Sequence, residues 1–225
     1  SSEALNRKAA FNDASLKVDD RWIISRTNSL VISVTGAMES HEYHVAVQEL
    51  KSFVMNDFSR WYIRLIRDRA GSPDDALQYT LKYVISRVAR LMAPMAPYIS
   101  EEIYQLLARE NAESVHLAEW PKAEAIDSEL ESQMAVARGI VETVLSARDQ
   151  IQRGLRWPVK RVWIVTKDEK VKAAVRGLSE IIKRQANAKE LTLSEDFKDA
   201  RMRVKADFSK LEPVLIRRNM TAHGL

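Results

Sequence analysis

The segment SRWYIRLIRDR, residues 59–69, sets Arg60, Arg64 and Arg67 four and three positions apart, with Arg69 two further on. On a helix this spacing gathers the first three into one stripe, while Phe58, Trp61, Tyr62 and Leu65 face the other way. Planar guanidinium forks match phosphate oxygens, and a row of them along a rigid rod can follow a polyanionic backbone. A second reading stays open at this level, in which the stripe is a solvated face tied to Asp57 and Asp68.

Arg148, Arg153, Arg156, Lys160 and Arg161 make a second basic cluster, with Trp157 and Pro158 among them. An exposed indole between cations can stack an unpaired nucleobase while its neighbours take phosphates. The alternative is that Trp157 packs between two structural units, since tryptophan is usually mostly buried. The candidate binding residues are therefore Arg60, Arg64, Arg67, Arg69, Arg153, Arg156, Trp157, Lys160 and Arg161.

Other chemistry-bearing residues read as structural. His41 and His44 are three apart near a helix start, whereas the zinc-protease pattern needs histidines four apart, so both are surface or capping residues. The acid pairs Asp19-Asp20, Asp74-Asp75 and Glu101-Glu102 each fall in the first turn of an expected helix, where the dipole accounts for them. The six glycines are scattered and none opens a Lys-Ser or Lys-Thr phosphate loop. With no cysteine in the chain, disulfides, thiolate metal sites and cysteine nucleophiles are excluded. The absence of a long apolar run or signal-peptide segment makes the expectation a cytoplasmic protein with no membrane contact. A formal charge of +4 permits an anionic partner without requiring one.

These side chains need rigid elements to hold them, and the apolar spacing supplies candidates. A chain of 225 residues, 46% hydrophobic, can build one large or two smaller cores. Residues 1–18 read as a tail or strap, 19–125 as a helical bundle, and 126–225 as a long helix followed by a small α/β unit. Ile23, Thr27, Leu30, Val34 and Met38 mark a first helix. The strongest period runs over 42–68, from Tyr43, Ala46, Val47 and Leu50 through Phe58 and Trp61 to Leu65, and predicts one long helix. Further helices are expected over 75–92 and 97–109, the latter carrying Ile99, Ile103, Leu106 and Leu107, with Pro97 in its first turn. Four helices with short joins form an antiparallel bundle. A packed strap is expected from 110 to 128, through Val115 and Trp120-Pro121. A helix then runs from Leu130 to Ile151 and stops at Gly154 as its C′ residue. A strand over 159–166, a helix over 171–186 and strands over 190–193 and 202–208 complete a mainly α architecture with a small α/β layer.

The strings DRWIISRTNSL (20–30), DFSRWYIRLIRDR (57–69), LMAPMAPYISEEIYQLL (91–107), ESVHLAEWP (113–121) and LRWPVKRVWIVTKDEKVKAAV (155–175) occur in this order. The set resembles the anticodon-binding region of isoleucyl-tRNA synthetases of the archaeal and eukaryotic-like type, over roughly residues 19–195. The double-proline junction alone would mark only the wider class I group, including valyl and leucyl enzymes, whereas RWYIRLIRDR and LRWPVKR favour isoleucine. The resemblance implies a module that holds isoleucine tRNA by its anticodon stem-loop, as a monomer, beside the catalytic and editing domains of one polypeptide. It also implies that catalysis, with ATP and magnesium, resides in that catalytic domain, since neither the His-x-Gly-His element nor the Lys-Met-Ser-Lys-Ser loop is present here. No cofactor is expected in this part. A zinc-binding tail like that of many bacterial relatives has no counterpart without cysteine. The competing expectation is a helical scaffold that binds a protein partner.

Overall fold

The computed structural model describes residues 16–71, 73–108 and 114–195, together with strands at 204–205 and 215–218. Most of the expected tail, the last residue of the helix expected over 97–109, and residues 110–113 of the expected strap lie outside the described residues. The chain divides into two compact units, Ser1–Ser128 and Glu129–Leu225.

The first unit opens with α1 (Val18–Glu39), which buries Trp22, Ile23, Leu30, Val31 and Val34 on one side. It stops in a Schellman turn. The His41 N–H reaches Met38 O at 3.1 Å, the Glu42 N–H reaches Ala37 O at 2.8 Å, and His41 takes φ 60°. His41 thus caps the end of one helix and does not begin the next.

Next, α2 (Tyr43–Ser52) runs into a π-helical segment, Phe53–Tyr62, and on into α3 (Ile63–Ile66). The single α-helix expected over 42–68 is therefore not uniform. The Ile63 N–H bonds Phe58 O, five residues back, where an α-helix would use four. The wider turn lets neighbours Trp61 and Tyr62, and then Leu65 and Ile66, all reach the core. In exchange Phe58 is only half-buried, and Tyr43 and Val47, expected to face inward, are exposed.

Helix α4 (Asp75–Met92) is capped by Asp74, whose Oδ1 accepts the Leu77 N–H at 3.0 Å, and buries Leu77, Val84 and Leu91. Helix α5 (Pro97–Ala108) follows. Packing runs α1 on α2, α1 on α4 and α4 on α5. On α5, Ile99 and Leu106 are exposed, so the apolar set read from sequence is not all core.

A 3₁₀ turn, Val115–Leu117, buries Val115, whose N–H donates to Glu101 at 2.8 Å. The strap that follows is sewn to α1 by polar groups. Buried Asn28 donates to Ala125 O at 3.2 Å and accepts from Tyr83 Oη at 2.9 Å and from the Glu124 N–H at 3.2 Å. Ser25 Oγ accepts the Asp127 N–H at 2.9 Å, and Trp120 Nε1 donates to Thr35 Oγ1 at 2.9 Å. Strap backbone without a ladder of its own satisfies its polar groups this way.

In the second unit, α6 (Ser128–Gln150) buries Leu130, Met134, Ala137, Ile140, Val141 and Val144. After it come β1 (Val159–Val165), α7 (Glu169–Gly177), α8 (Ser179–Ala186) and β2 (Ala188–Ser194). Strands β1 and β2 pair in parallel, with Val162 opposite Leu191, so the helices between them form the crossover a parallel pair requires. One helix was expected over 171–186; the backbone breaks at Leu178. The sheet continues with β3 (Val204–Lys205) and β4 (Leu215–Arg218) in the order β2-β1-β4-β3, β4 being antiparallel to both neighbours. Of the strand expected over 202–208 only β3 is described, and β4 had no counterpart in the sequence pattern.

The molecule is mainly α with a small α/β unit, and no helix among the described residues is long and apolar enough to cross a membrane.

Candidate nucleic-acid interface

In the first unit the arginine stripe separates into three kinds of environment. Arg60 and Arg67 are exposed, and among the described residues neither forms an ion pair; Arg60 makes only a long contact, 3.5 Å, to Asn56 Oδ1. Arg64 is half-buried with its guanidinium 5.3 Å from the Trp61 ring centroid, the cation over an aromatic face. Asp57, which the sequence offers as a tether for the stripe, accepts from Arg26 of α1 at 3.0 and 3.3 Å.

Arg69 leaves the candidate set. It is 7% exposed and its fork is spent inside the bundle, on Asp19 at 3.2 Å, on Asp20 at 2.8 Å and on Asp74 at 2.9 Å. Tyr62 Oη donates to the same Asp20 at 2.7 Å. Burial opposes the Arg69 charge, and the bonds to Asp20 and Asp74 outweigh it, so the guanidinium is held more firmly protonated than usual. Burial first, and the Asp20 charge second, push the Tyr62 phenol up. Asp19 and Asp20 are thus more than dipole partners of a helix start: they are half of a buried ion network whose other half lies about 50 residues along the chain.

In the second unit the basic cluster surrounds the loop between α6 and β1. Arg148 is a loop-builder, not a surface cation: 4% exposed, it donates from Nη2 to Gly154 O at 2.7 Å and to Trp157 O, and from Nη1 to Ala186 O at 3.5 Å. From the other side Asn187 Nδ2 donates to Leu155 O at 2.7 Å, and Asn187 O accepts the Val159 N–H at 3.0 Å. Bonds to three of its carbonyls hold the backbone of this loop in place. Trp157 is 61% exposed on it. Arg153, Arg156 and Lys160 are exposed around it. Arg161 is committed elsewhere: its guanidinium pairs with Glu190, its register partner on β2, and lies 5.5 Å from the Trp163 ring centroid. An open depression of about 470 Å³ is lined by Ile151, Gln152, Arg153 and Trp157.

The helix end beside this depression differs from the one expected. The Gln152 N–H bonds Asp149 O at 2.7 Å and the Arg153 N–H bonds Arg148 O at 2.9 Å, a Schellman turn with Gln152 as C′ residue at φ 55°. Gly154, the residue expected to fill that role, sits two places later. A left-handed conformation costs a side-chain-bearing residue on the order of 1–2 kcal/mol. Gln152 carries no local signal of this role, because Gly154, two residues on, is of the type that usually fills it.

An exposed indole on a pinned loop with cations around it can hold an unpaired base and its phosphates. Residues 20–164 match the family described as the anticodon-binding domain of tRNA ligase. The chain belongs to this family. Among curated proteins it is 44% identical to isoleucine–tRNA ligase of Pyrococcus abyssi over 92% of its length. It is 40% identical to that of Pyrococcus horikoshii over 97%, and 40% identical to that of Methanothermobacter thermautotrophicus over 90%. The chain spans only about a fifth of each of these relatives. As an anticodon-binding domain it has two exposed cationic regions, one per unit, and the likeness to the relatives extends past the 19–195 window carried by the motifs.

Proposed function

We propose that this anticodon-binding domain serves an isoleucine–tRNA ligase, holding the anticodon stem-loop of isoleucine tRNA in the cytoplasm. Activation of isoleucine with ATP and magnesium, transfer to tRNA and editing would belong to the catalytic and editing domains of the parent polypeptide. The observation that carries the tRNA reading is Trp157, an exposed indole on a loop pinned by Arg148 and Asn187, with Arg153, Arg156 and Lys160 beside it. The choice of isoleucine is supported by identity to isoleucine–tRNA ligases over nine tenths of the chain. In this reading Arg60, Arg64 and Arg67 meet the phosphates of the anticodon stem, while Arg153, Arg156 and Lys160 take those of the loop and Trp157 stacks one of its bases. Arg161 contributes through its pairing with Glu190, by fixing the edge of β1.

The experiment is a panel of isoleucine, valine and leucine tRNAs titrated against the 225-residue chain at two salt concentrations, about 50 and 200 mM, where phosphate contacts lose affinity steeply. Preference for isoleucine tRNA with a strong salt dependence is expected. Preference for valine or leucine tRNA would reassign the parent enzyme. A second reading, a helical scaffold bracing another protein surface, is favoured by Tyr98, Ile99 and Leu106, which lie exposed on one side of α5. It predicts no preference among the tRNAs.

A further inference from the structure

Leu65 lies 19 positions after Ala46, and both are buried in the first unit. Five turns of α-helix take only about 18. The rod thus holds one residue more than an α-helix needs to bring both side chains to the core, and the π-helical stretch Phe53–Tyr62 absorbs it. From Phe53 the buried positions recur at every fourth residue, at Asp57, Trp61 and Leu65. In an α-helix each such step would carry the side chain round by about 40°, so three steps would turn Leu65 about 120° away from Phe53. The surplus residue takes back about 100° of this, the turn that a single residue makes.

The polar side of the rod has the same step of four and is straightened with it. Ser52, Asn56 and Arg60 are exposed there, and Arg64 is half-buried. Contacts follow the line, for Asn56 Nδ2 donates to Ser52 Oγ at 3.4 Å and Arg60 Nη1 reaches Asn56 Oδ1 at 3.5 Å. A rod one residue shorter would bring Ala46 and Leu65 to the same core in five regular turns. π-helical turns are rare, and they often mark functional sites.

We propose that the surplus residue belongs to the tRNA interface: it sets Ser52 and Asn56 in line with Arg60 and Arg64, making one straight row of hydrogen-bond donors for successive phosphates along a single strand of the anticodon stem. The inference rests on the tRNA reading given above and adds to it two uncharged contact residues. Serine hydroxyls and asparagine amides are ordinary partners of phosphate oxygens. A row that winds round its helix faces one strand at neighbouring positions only, whereas a straight row presents all four groups to it. Neither Ser52 nor Asn56 neutralises a phosphate, so neither releases counterions, and what they add to affinity is the same at every salt concentration. That separates their contribution from that of the arginines.

The test measures binding of isoleucine tRNA to the 225-residue chain over a series of salt concentrations. Asn56→Ala is expected to weaken binding about five- to tenfold, the scale of one hydrogen bond, and to leave the slope of log affinity against log salt as in the wild type. Ser52→Ala should act in the same way. Arg60→Ala should lower the slope by about one. Deletion of Met55, which is exposed and off the row, returns the rod to five α-turns. The deletion should weaken binding at least as much as Asn56→Ala, and in its background Asn56→Ala should cost less than about twofold, because the row is already broken. The proposal is overturned if either alanine variant binds as the wild type does, or if a folded Met55 deletion keeps wild-type affinity. A lowered slope in Asn56→Ala would also overturn it, since Asn56 would then act only by holding Arg60. Should the deletion fail to fold, the two alanine variants decide alone. Absence of salt-dependent tRNA binding in the wild type is a different failure, which removes the tRNA reading itself.

Discussion

Arg69 Nη2 lies 2.8 Å from Asp20 Oδ2, joining the turn that follows α3 to the first turn of α1 inside the bundle, where Asp20 is 0% exposed. A guanidinium read from sequence as one more rung of a phosphate-binding ladder is a fastener of the fold. Its neighbours Arg60 and Arg67 remain in solvent.

Arg69→Met should destabilise the first unit by about 3–5 kcal/mol, because Asp19 and Asp20 would be left buried without their counter-charge. Arg67→Ala, at an exposed position two residues earlier, should stay within about 0.5 kcal/mol. Urea denaturation followed by circular dichroism distinguishes the two. Equal effects would mean that the network is not what holds α1 to α3.

The same network makes stability pH-dependent in a defined direction. The bonds from Arg69, and then from the Leu77 N–H, hold the Asp74 carboxyl below its usual range. Unfolded chains therefore bind a proton there before the native protein does, and stability rises with pH across that interval. The contribution is complete above the ordinary carboxylate value of about 4 and is lost as pH falls through the lower native value. Asp74→Asn keeps a competent helix cap and loses the charge. Its deficit relative to wild type, read from urea midpoints at a series of pH values, should be constant near neutrality and shrink below about pH 4. A deficit that does not change with pH would remove the charge from the explanation.

For the stripe, the double substitution of Arg60 and Arg67 by alanine should weaken tRNA binding across tRNA species and lower the slope of log affinity against log salt by about one to two. The melting temperature should hardly move, since both side chains are exposed and without ion pairs among the described residues. Filter binding at several salt concentrations supplies the slope, and an unchanged slope would take the stripe out of the interface.

Arg148→Met should act on RNA binding without touching RNA. Removing its donors takes a charge-assisted hydrogen bond from each of the Gly154 and Trp157 carbonyls, at a cost of about 1.5–3 kcal/mol for such a bond, while Gly154 O keeps the Trp157 N–H at 3.2 Å. Backbone amides over 153–159 should then exchange faster with solvent, and quenching of Trp157 by loop RNA should weaken. In Trp157→Ala the quenching disappears while exchange at those amides stays as in wild type. If Arg148→Met leaves both measurements at wild-type values, the loop is fixed by other contacts.

Much of this protein was determined by its sequence alone. Period and punctuation specify a helical bundle followed by a small α/β unit, because an amphipathic stripe and its caps are local properties: Asp74 ahead of α4 and Pro97 at the start of α5 need only their near neighbours. The positions of the basic clusters are legible for the same reason. Sequence could not say which cations are surface. Arg64, Arg67 and Arg69 look alike in a string, and Arg148 looks like Arg153, yet whether a guanidinium faces water depends on carboxylates and carbonyls brought from distant segments, Asp20 for Arg69 and Ala186 for Arg148. The widened turn at Phe53–Tyr62 and the left-handed Gln152 were likewise hidden, since both give up locally preferred backbone for packing or placement that exists only once the chain has folded.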